Sequence, residues 1–223
     1  MAPGTQILRS PLSDQVKERL LQDILVGAYP PGSRIVETRV ARELGISQAP
    51  VREALRDLEA LGVVEISTYR GARVRHPTKA ELLEAYGIRA ELESLGARLA
   101  LPLMSEADLE ELQGYIEEMQ RAADSGDTHT EAIIDVAFHG RIIQISGNNT
   151  LQRVWRYLEP LSRTFITLGV PGVNPRDIAD LHTPILEALR SRDPDQAAAA
   201  YHLHFETAGA MFSETWVDDP PRV

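Results

Sequence analysis

The stretch GISQAPVREALRDLEALGVVE, residues 45–65, contains the signals that decide the fold of the first part of this chain. Gly45 is typical of the residue that ends a helix, and we place that helix at about Glu37 to Leu44. Ser47 caps a following helix, and Pro50 falls in its first turn, where a missing N–H does little harm. Two short helices joined by three residues predict a helix-turn-helix.

The flanking sequence predicts the rest of this domain. Leu12, Val16, Leu20 and Ile24 recur every four residues, which indicates one apolar stripe of an earlier amphipathic helix. After residue 62, two stretches at 63–66 and 72–74 alternate in the manner of strands, with a polar turn between them. Three helices followed by a hairpin predict a winged helix.

The helix after Ser47 has two faces of different character. Its apolar stripe of Val51, Leu55 and Leu58 is expected to face the core. Its other side carries Gln48, Arg52 and Arg56, four residues apart. Glutamine can pair with adenine and arginine with guanine in the major groove of DNA. The alternative is that the two arginines form salt bridges on a solvated face, with Glu53, Asp57 or Glu59.

Other basic residues of this domain suit contacts to the DNA backbone. Arg39 and Arg42 fall on the helix before the turn, and Arg70 falls at the tip of the wing, within reach of a minor groove. Residues 1–76 contain 11 Lys/Arg and 9 Asp/Glu, a net charge of +2, whereas the remainder contains 12 against 24, a net charge of −12. This asymmetry permits DNA to approach the first part only.

The stretch PPGSRIVETRVARELGISQAPVREALRDLEALGVVEISTYRGARV, residues 30–74, strongly resembles the DNA-binding domain of the GntR family of bacterial transcription regulators. The resemblance implies DNA contacts by Arg52 on the recognition helix and by Arg70 and Gly71 in the wing. The family usually has arginine where this chain has Gln48, and often where it has Thr38. Those two departures leave the assignment of the domain intact and bear on which operator sequence the chain would read.

The second part of the chain is predicted to be helical. Residues 78–81 have the pattern of a capping box, which begins a helix directly after His76-Pro77. We place the domain boundary there, which gives domains 1–76 and 77–223. The period of apolar residues predicts an antiparallel helical bundle. The predicted helices are 79–101, 105–124, 129–146, 149–168, 176–191 and 194–214. The fold class is therefore mainly α, a winged helix-turn-helix plus a helical bundle.

Four polar residues of the bundle fall on apolar helix stripes: Asp135, His139, His182 and His204. A buried carboxylate is costly unless it is paired or binds a metal. One carboxylate and three imidazoles from three helices form a set of ligands suited to a borderline metal. Each histidine alone is equally consistent with a hydrogen-bonded core residue, and we interpret His76, His129 and His202 in that way.

The second part resembles the FadR-type effector domain in its metal-containing form. The carrying motifs are DVAFH at 135–139, LHTPILEAL at 181–189 and AAAAYHLHF at 197–205. The resemblance implies that Asp135, His139, His182 and His204 are the metal ligands. Zinc, nickel, manganese and iron all tolerate this set, and we expect zinc or nickel. Pro184 is expected to kink its helix or to place a helix start near His182.

Arg89 falls in the stripe of Leu82, Tyr86 and Leu92, in the pattern YGIRAELE. In the family, an arginine at this place faces the effector cavity, where it would suit a small carboxylate beside the metal. The alternative is an internal salt bridge to Glu93 or Asp135. Both interpretations remain open at this point.

Composition excludes several classes of protein. The sequence has no cysteine, which rules out disulfides and thiolate metal sites, and no apolar run of the roughly 18 residues needed to span a membrane. We expect a cytoplasmic homodimer that binds a palindromic operator, acts as a repressor and responds to a small organic acid at the metal, without being an enzyme. The alternatives are a regulator whose metal is purely structural and a metal-dependent hydrolase.

Overall fold

The structure, a computed structural model, divides into two compact units, Met1–His76 and Pro77–Val223. It describes residues 11–25, 28–30, 32–60, 62–67, 71–75, 78–158, 164, 167–170, 172–214 and 216. Arg70 of the predicted wing tip and His76 lie outside the described residues, as does most of the second half of the helix predicted at 149–168.

The first unit combines three helices with a small antiparallel sheet. The helices are α1 (Leu12–Leu25), α2 (Glu37–Leu44) and α3 (Gln48–Ala60), and the strands are β1 (Arg34–Ile35), β2 (Val64–Ser67) and β3 (Gly71–Val74). The strand order is β1-β3-β2. The predicted hairpin is therefore present, and β1 is an addition that the sequence pattern did not indicate. Two residues are too few to show an alternation.

Local signals explain the helix-turn-helix. Gly45 adopts φ of +67° and donates its N–H to the carbonyls of Ala41 and Arg42, the left-handed helix end that glycine permits. Helix α3 buries Val51, Ala54, Leu55 and Leu58. The predicted stripe of α1 is correct for Val16, Leu20 and Ile24, but Leu12 is 47% exposed because the first turn extends beyond the core.

The second unit is built from helices. They are α4 (Lys79–Ala100), α5 (Glu106–Ser125), α6 (Thr128–Ile145), α7 (Asn149–Tyr157), α8 (Pro175–Asp180), α9 (Thr183–Arg190) and α10 (Pro194–Ser213). Helix α4 packs along α10, and α5 packs along α6 and α8. Capping boxes begin α4 at Thr78 and α5 at Ser105. Among the described residues, no helix is both long and apolar enough to cross a bilayer.

The helix predicted at 176–191 is two helices, α8 and α9, separated at Leu181-His182. Pro184 lies in the first turn of α9 and has no N–H to donate to the carbonyl one turn earlier, so a continuous helix would lose a hydrogen bond there. The break places His182 at the N-cap of α9, where its side chain is fully buried.

Candidate nucleic-acid interface and metal centre

The surface of α3 opposite its core stripe is polar and exposed. Gln48, Arg52 and Arg56 are all exposed on it, and so are Ser47 before the helix and Arg39 and Arg42 on α2. Gly71 begins β3, with φ of +76°. The structure therefore leaves these side chains accessible, as contact with a major groove and its phosphates requires.

The ion pairs on this surface differ from the predicted alternative. Arg52 donates to Glu37 of α2, with 3.0 Å between Nη2 and Oε2, rather than pairing with an acid of its own helix. Its side chain is 53% exposed and that of Glu37 31%. Exposed pairs of this kind stabilise a fold by only about 0–1 kcal/mol. Arg52 can therefore exchange Glu37 for a base edge at little cost.

The three predicted histidine ligands converge in the second unit. His139 on α6, His182 at the α8–α9 break and His204 on α10 each offer a ring nitrogen, and these nitrogens lie within 4.8 Å of one another. Oδ2 of Asp135 lies 3.1 Å from Nε2 of His182 and 3.8 Å from Nε2 of His139. His139 and His204 are 65 positions apart in sequence, yet they lie in one buried cluster because α6, α9 and α10 enclose the same core.

The surroundings of the rings indicate which nitrogens face the centre. Nδ1 of His139 lies 2.6 Å from Oε2 of Glu93, Nδ1 of His182 lies 3.1 Å from the carbonyl of Ala179, and Nδ1 of His204 lies 3.4 Å from that of Leu181. A proton on Nδ1 of His182 or of His204 faces a carbonyl oxygen, whereas Nδ1 of His139 and Oε2 of Glu93 are in close contact without hydrogen-bond geometry. With the protons on Nδ1, each Nε2 keeps a lone pair. Outer oxygens of this kind are typical partners of metal-bound histidines.

Two of these lone pairs oppose each other. Nε2 of His139 and Nε2 of His182 are 3.1 Å apart. Neutral rings in this tautomer would repel at such a distance, whereas a cation between them would accept both lone pairs. The three imidazoles, with Asp135 beside two of them, therefore offer donors that suit a divalent metal ion of the zinc or nickel type.

Glu93 is a candidate functional residue that the sequence indicated only as a partner of Arg89. Its Oε1 accepts hydrogen bonds from Nε of Arg89 and Nε1 of Trp155, both at 2.8 Å, while its Oε2 faces His139. Burial would raise the pKa of Glu93, but the charge of Arg89 and the close contact with His139 lower it to about 2. Glu93 is thus a carboxylate that orients a candidate metal ligand.

Asp135 is also held as a carboxylate. Oγ1 of Thr164 donates to its Oδ1 at 2.8 Å. Burial opposes ionisation, but the contacts with the rings of His182 and His139 and the charge of Arg89 lower the pKa of Asp135 well below its usual range. Burial lowers the pKa of His204, with His182 and His139 adding to the effect, so His204 is held in the neutral form that metal ligation needs.

Arg89 forms the internal salt bridge of one predicted interpretation, and its contact with an effector stays a prediction. It forms the salt bridge to Glu93, and its Cζ lies 4.6 Å from the centroid of the Phe205 ring. Its side chain is only 2% exposed, yet its Nη2 has no hydrogen-bond partner among the described residues. The NH2 group at Nη2 of this buried guanidinium therefore remains for another acceptor.

Glu131 is a second buried acid that sequence analysis missed. It is 1% exposed on α6, one turn before Asp135, and neither of its carboxyl oxygens has a hydrogen-bond partner within the described parts of the chain. Burial and the nearby charge of Asp135 raise the pKa of Glu131 to about 8. The available signal was its position four residues before Asp135, on the same helix face.

Comparison with known proteins identifies both units. Residues 12–74 match the family described as "Bacterial regulatory proteins, gntR family", and residues 84–207 match the "FCD domain". A probable D-xylose utilization operon transcriptional repressor of Paenarthrobacter nicotinovorans is 34% identical over 203 residues, which cover 91% of this chain and 89% of that protein.

A protein of Escherichia coli supports the same assignment, and a solved structure from Rhodococcus shares the fold. The regulator McbR of E. coli K12 is 36% identical over 200 residues, 86% of this chain and 89% of that protein. The solved structure of E. coli McbR/YncC has a TM-score of 0.75 at 28% identity, over 92% and 99% of the two chains. The solved structure of a regulator from Rhodococcus sp. RHA1 shares the fold. Its TM-score is 0.78 at 21% identity, over 92% of this chain and 99% of that chain.

The predicted winged helix-turn-helix followed by a helical bundle is thus confirmed. The relatives are named as transcriptional regulators rather than enzymes. The chain belongs to the gntR family of bacterial regulatory proteins with an FCD domain, and it is a DNA-binding transcriptional regulator that responds to an effector.

Proposed function

We propose that this regulator is a cytoplasmic repressor whose operator binding responds to a small carboxylate bound at a divalent metal. The observation that carries the proposal is the free Nη2 of buried Arg89 in the same unit as the converging nitrogens of His139 and His182. A purely structural metal would not require an unpaired guanidinium N–H in the core, because leaving such a donor unsatisfied costs about 1–3 kcal/mol or more.

In this proposal Asp135, His139, His182 and His204 hold the metal, either zinc or nickel. The bound ion would supply a Lewis-acidic position for one carboxylate oxygen. Arg89 donates to the carboxylate through Nη2 while Glu93 holds its Nε, and Glu93 also fixes the ring of His139. The protein groups thus orient the ligand before it arrives.

The residues proposed to contact DNA are those exposed on the first unit, together with the wing. They are Arg39, Arg42, Ser47, Gln48, Arg52, Arg56, Arg70 and Gly71. We infer a homodimer on a palindromic operator, because two copies of one recognition helix read two half-sites about one helical turn apart. Residues 1–76 would bind DNA, and residues 77–223 would bind the effector and the second copy.

The names of relatives favour repression. They include the D-xylose operon repressor and, at 24% identity, a gluconate operon transcriptional repressor of Bacillus subtilis. A ligand changes operator affinity only if it binds the DNA-competent and DNA-incompetent states differently, an effect of typically about 1–3 kcal/mol. The corresponding change in operator affinity is about 5- to 150-fold.

The test uses a duplex selected by the full-length protein from a random library. Fluorescence anisotropy would follow its binding by metal-loaded and chelator-treated protein across a panel of organic acids. We expect at least one acid to weaken binding, in the metal-loaded protein only. If every acid acts equally on both forms, the metal has no part in effector binding.

A further inference from the structure

Glu131 is a buried acid that neither the metal centre nor the fold uses. Its position on α6 follows the face that carries Asp135, His139 and Ile142, at spacings of four, four and three residues. Both carboxyl oxygens are buried and without a partner among the described residues. Native proteins rarely leave a buried polar group unpaired, so such a group calls for an explanation.

Packing does not account for Glu131. An apolar side chain of similar size would fill the same volume without the cost of burying two oxygens. One turn of α6 separates Glu131 from Asp135, a rise of about 6 Å along the axis. The first few carbons of a ligand whose carboxylate lies at the metal would cover that distance.

Charge determines what Glu131 can accept. Asp135 and Glu93 carry two negative charges and Arg89 one positive charge, so a divalent ion leaves the site with a net charge of plus one, which one carboxylate neutralises. A second anionic group beside Glu131 and Asp135 would remain uncompensated. The raised pKa of Glu131 is consistent with a neutral carboxyl group at this position.

A neutral carboxyl group has one donor and one acceptor, and a hydroxyl group offers the matching acceptor and donor. We propose that Glu131 is a specificity-determining residue that pairs with a hydroxyl group of the ligand, so that the effector is a hydroxylated monocarboxylic acid. This inference rests on the proposed function, since it requires the carboxylate of that ligand to lie at the metal and Arg89.

The test compares matched acids that differ by one hydroxyl group. Isothermal titration calorimetry on zinc- or nickel-loaded full-length protein would use glycolate against acetate, lactate against propionate, 3-hydroxybutyrate against butyrate, and malate against succinate. We expect one hydroxylated monocarboxylate to bind at least about tenfold more tightly than its partner, because a buried polar group left unpaired rejects the analogue. Tightest binding of succinate would overturn the inference.

Two variants separate Glu131 from the rest of the site. Glu131→Met removes both polar groups at similar length and should abolish the preference for the hydroxylated acid, while affinity for the deoxy partner and metal content stay unchanged. Glu131→Gln keeps a donor and an acceptor and should retain part of the preference. Glu187→Met, an exposed change on α9, is the control. An undiminished preference in Glu131→Met would overturn the inference.

A second measurement needs no ligand. If Glu131 has no hydrogen-bond partner until the ligand binds, Glu131→Met should raise the melting temperature of the ligand-free, metal-loaded protein, because a buried unpaired group has been removed. A lowered melting temperature would mean that Glu131 has a structural partner. Metal-dependent binding of the deoxy acids without any preference for hydroxylated ones would refute this inference and leave the proposed function standing, whereas no binding of any acid would refute both.

Discussion

Oε2 of Glu93 lies 2.6 Å from Nδ1 of His139, on the side of the imidazole ring away from His182. A proton on Nδ1 of the ring faces this carboxylate, and the Nε2 lone pair is then directed toward the other histidines. The same carboxylate holds Arg89 through its other oxygen. One buried acid on α4 thus orients both a candidate metal ligand and a candidate effector contact.

Glu93→Gln should lower metal affinity by about 10- to 100-fold, because the amide orients His139 less firmly and removes a negative charge. Competition against a chromogenic chelator would measure the affinity. Glu91→Gln, an exposed change two residues earlier on α4, is the matched control. Equal affinities in both variants would contradict the role of Glu93, provided circular dichroism shows both proteins folded.

His204→Ala should lose bound metal, while His202→Ala should retain it. The two histidines are two residues apart on α10, but His204 is buried among the other candidate ligands and His202 is 47% exposed. Elemental analysis after gel filtration gives the metal content per chain. Full occupancy in His204→Ala would remove this residue from the ligand set.

Arg52→Ala should weaken binding to a selected operator by about 1–3 kcal/mol and relax preference at one base position. The fold should be unaffected, because the Arg52–Glu37 pair is exposed. Anisotropy titrations at one salt concentration would measure the change. Arg19→Ala, which breaks a comparable exposed pair with Asp23 on α1, is the control, and equal losses in both variants would argue against a specific contact.

Glu131 should make the protein less stable as pH rises. The pKa of Glu131 is raised to about 8 from a usual 4.5. Between pH 4.5 and pH 8, the folded state therefore keeps a proton that the unfolded state has released. The contribution is fully present below pH 4.5 and is lost as pH rises toward 8, with a slope of at most about 1.4 kcal/mol per pH unit.

Urea unfolding of metal-free protein at pH 5, 6, 7 and 8 would measure this slope. The amide in Glu131→Gln cannot ionise. The free energy of unfolding of this variant should therefore increase relative to that of the parent protein as pH rises. A constant difference across the range would show that Glu131 is ionised in the folded protein at every pH tested.

Sequence alone determined the features that depend on neighbouring residues. The glycine at position 45 permits a left-handed helix end, and the threonine at 78 forms a capping box with Glu81. The spacing of Asp135 and His139 places both on one face of a helix. Each follows from the geometry of one turn of backbone, which a short stretch specifies by itself.

Only the tertiary structure decided which distant groups meet. Four features depend on how separate elements pack. They are the addition of β1 to the sheet, the pairing of Arg52 with Glu37, the contact of Glu93 with His139, and the lack of any described partner for Glu131. A local pattern shows that a polar residue faces the core, but the partner it finds there is supplied by another part of the chain. The physical reason is that burial makes each such contact costly to leave unmade, while its identity is settled by packing across the whole domain.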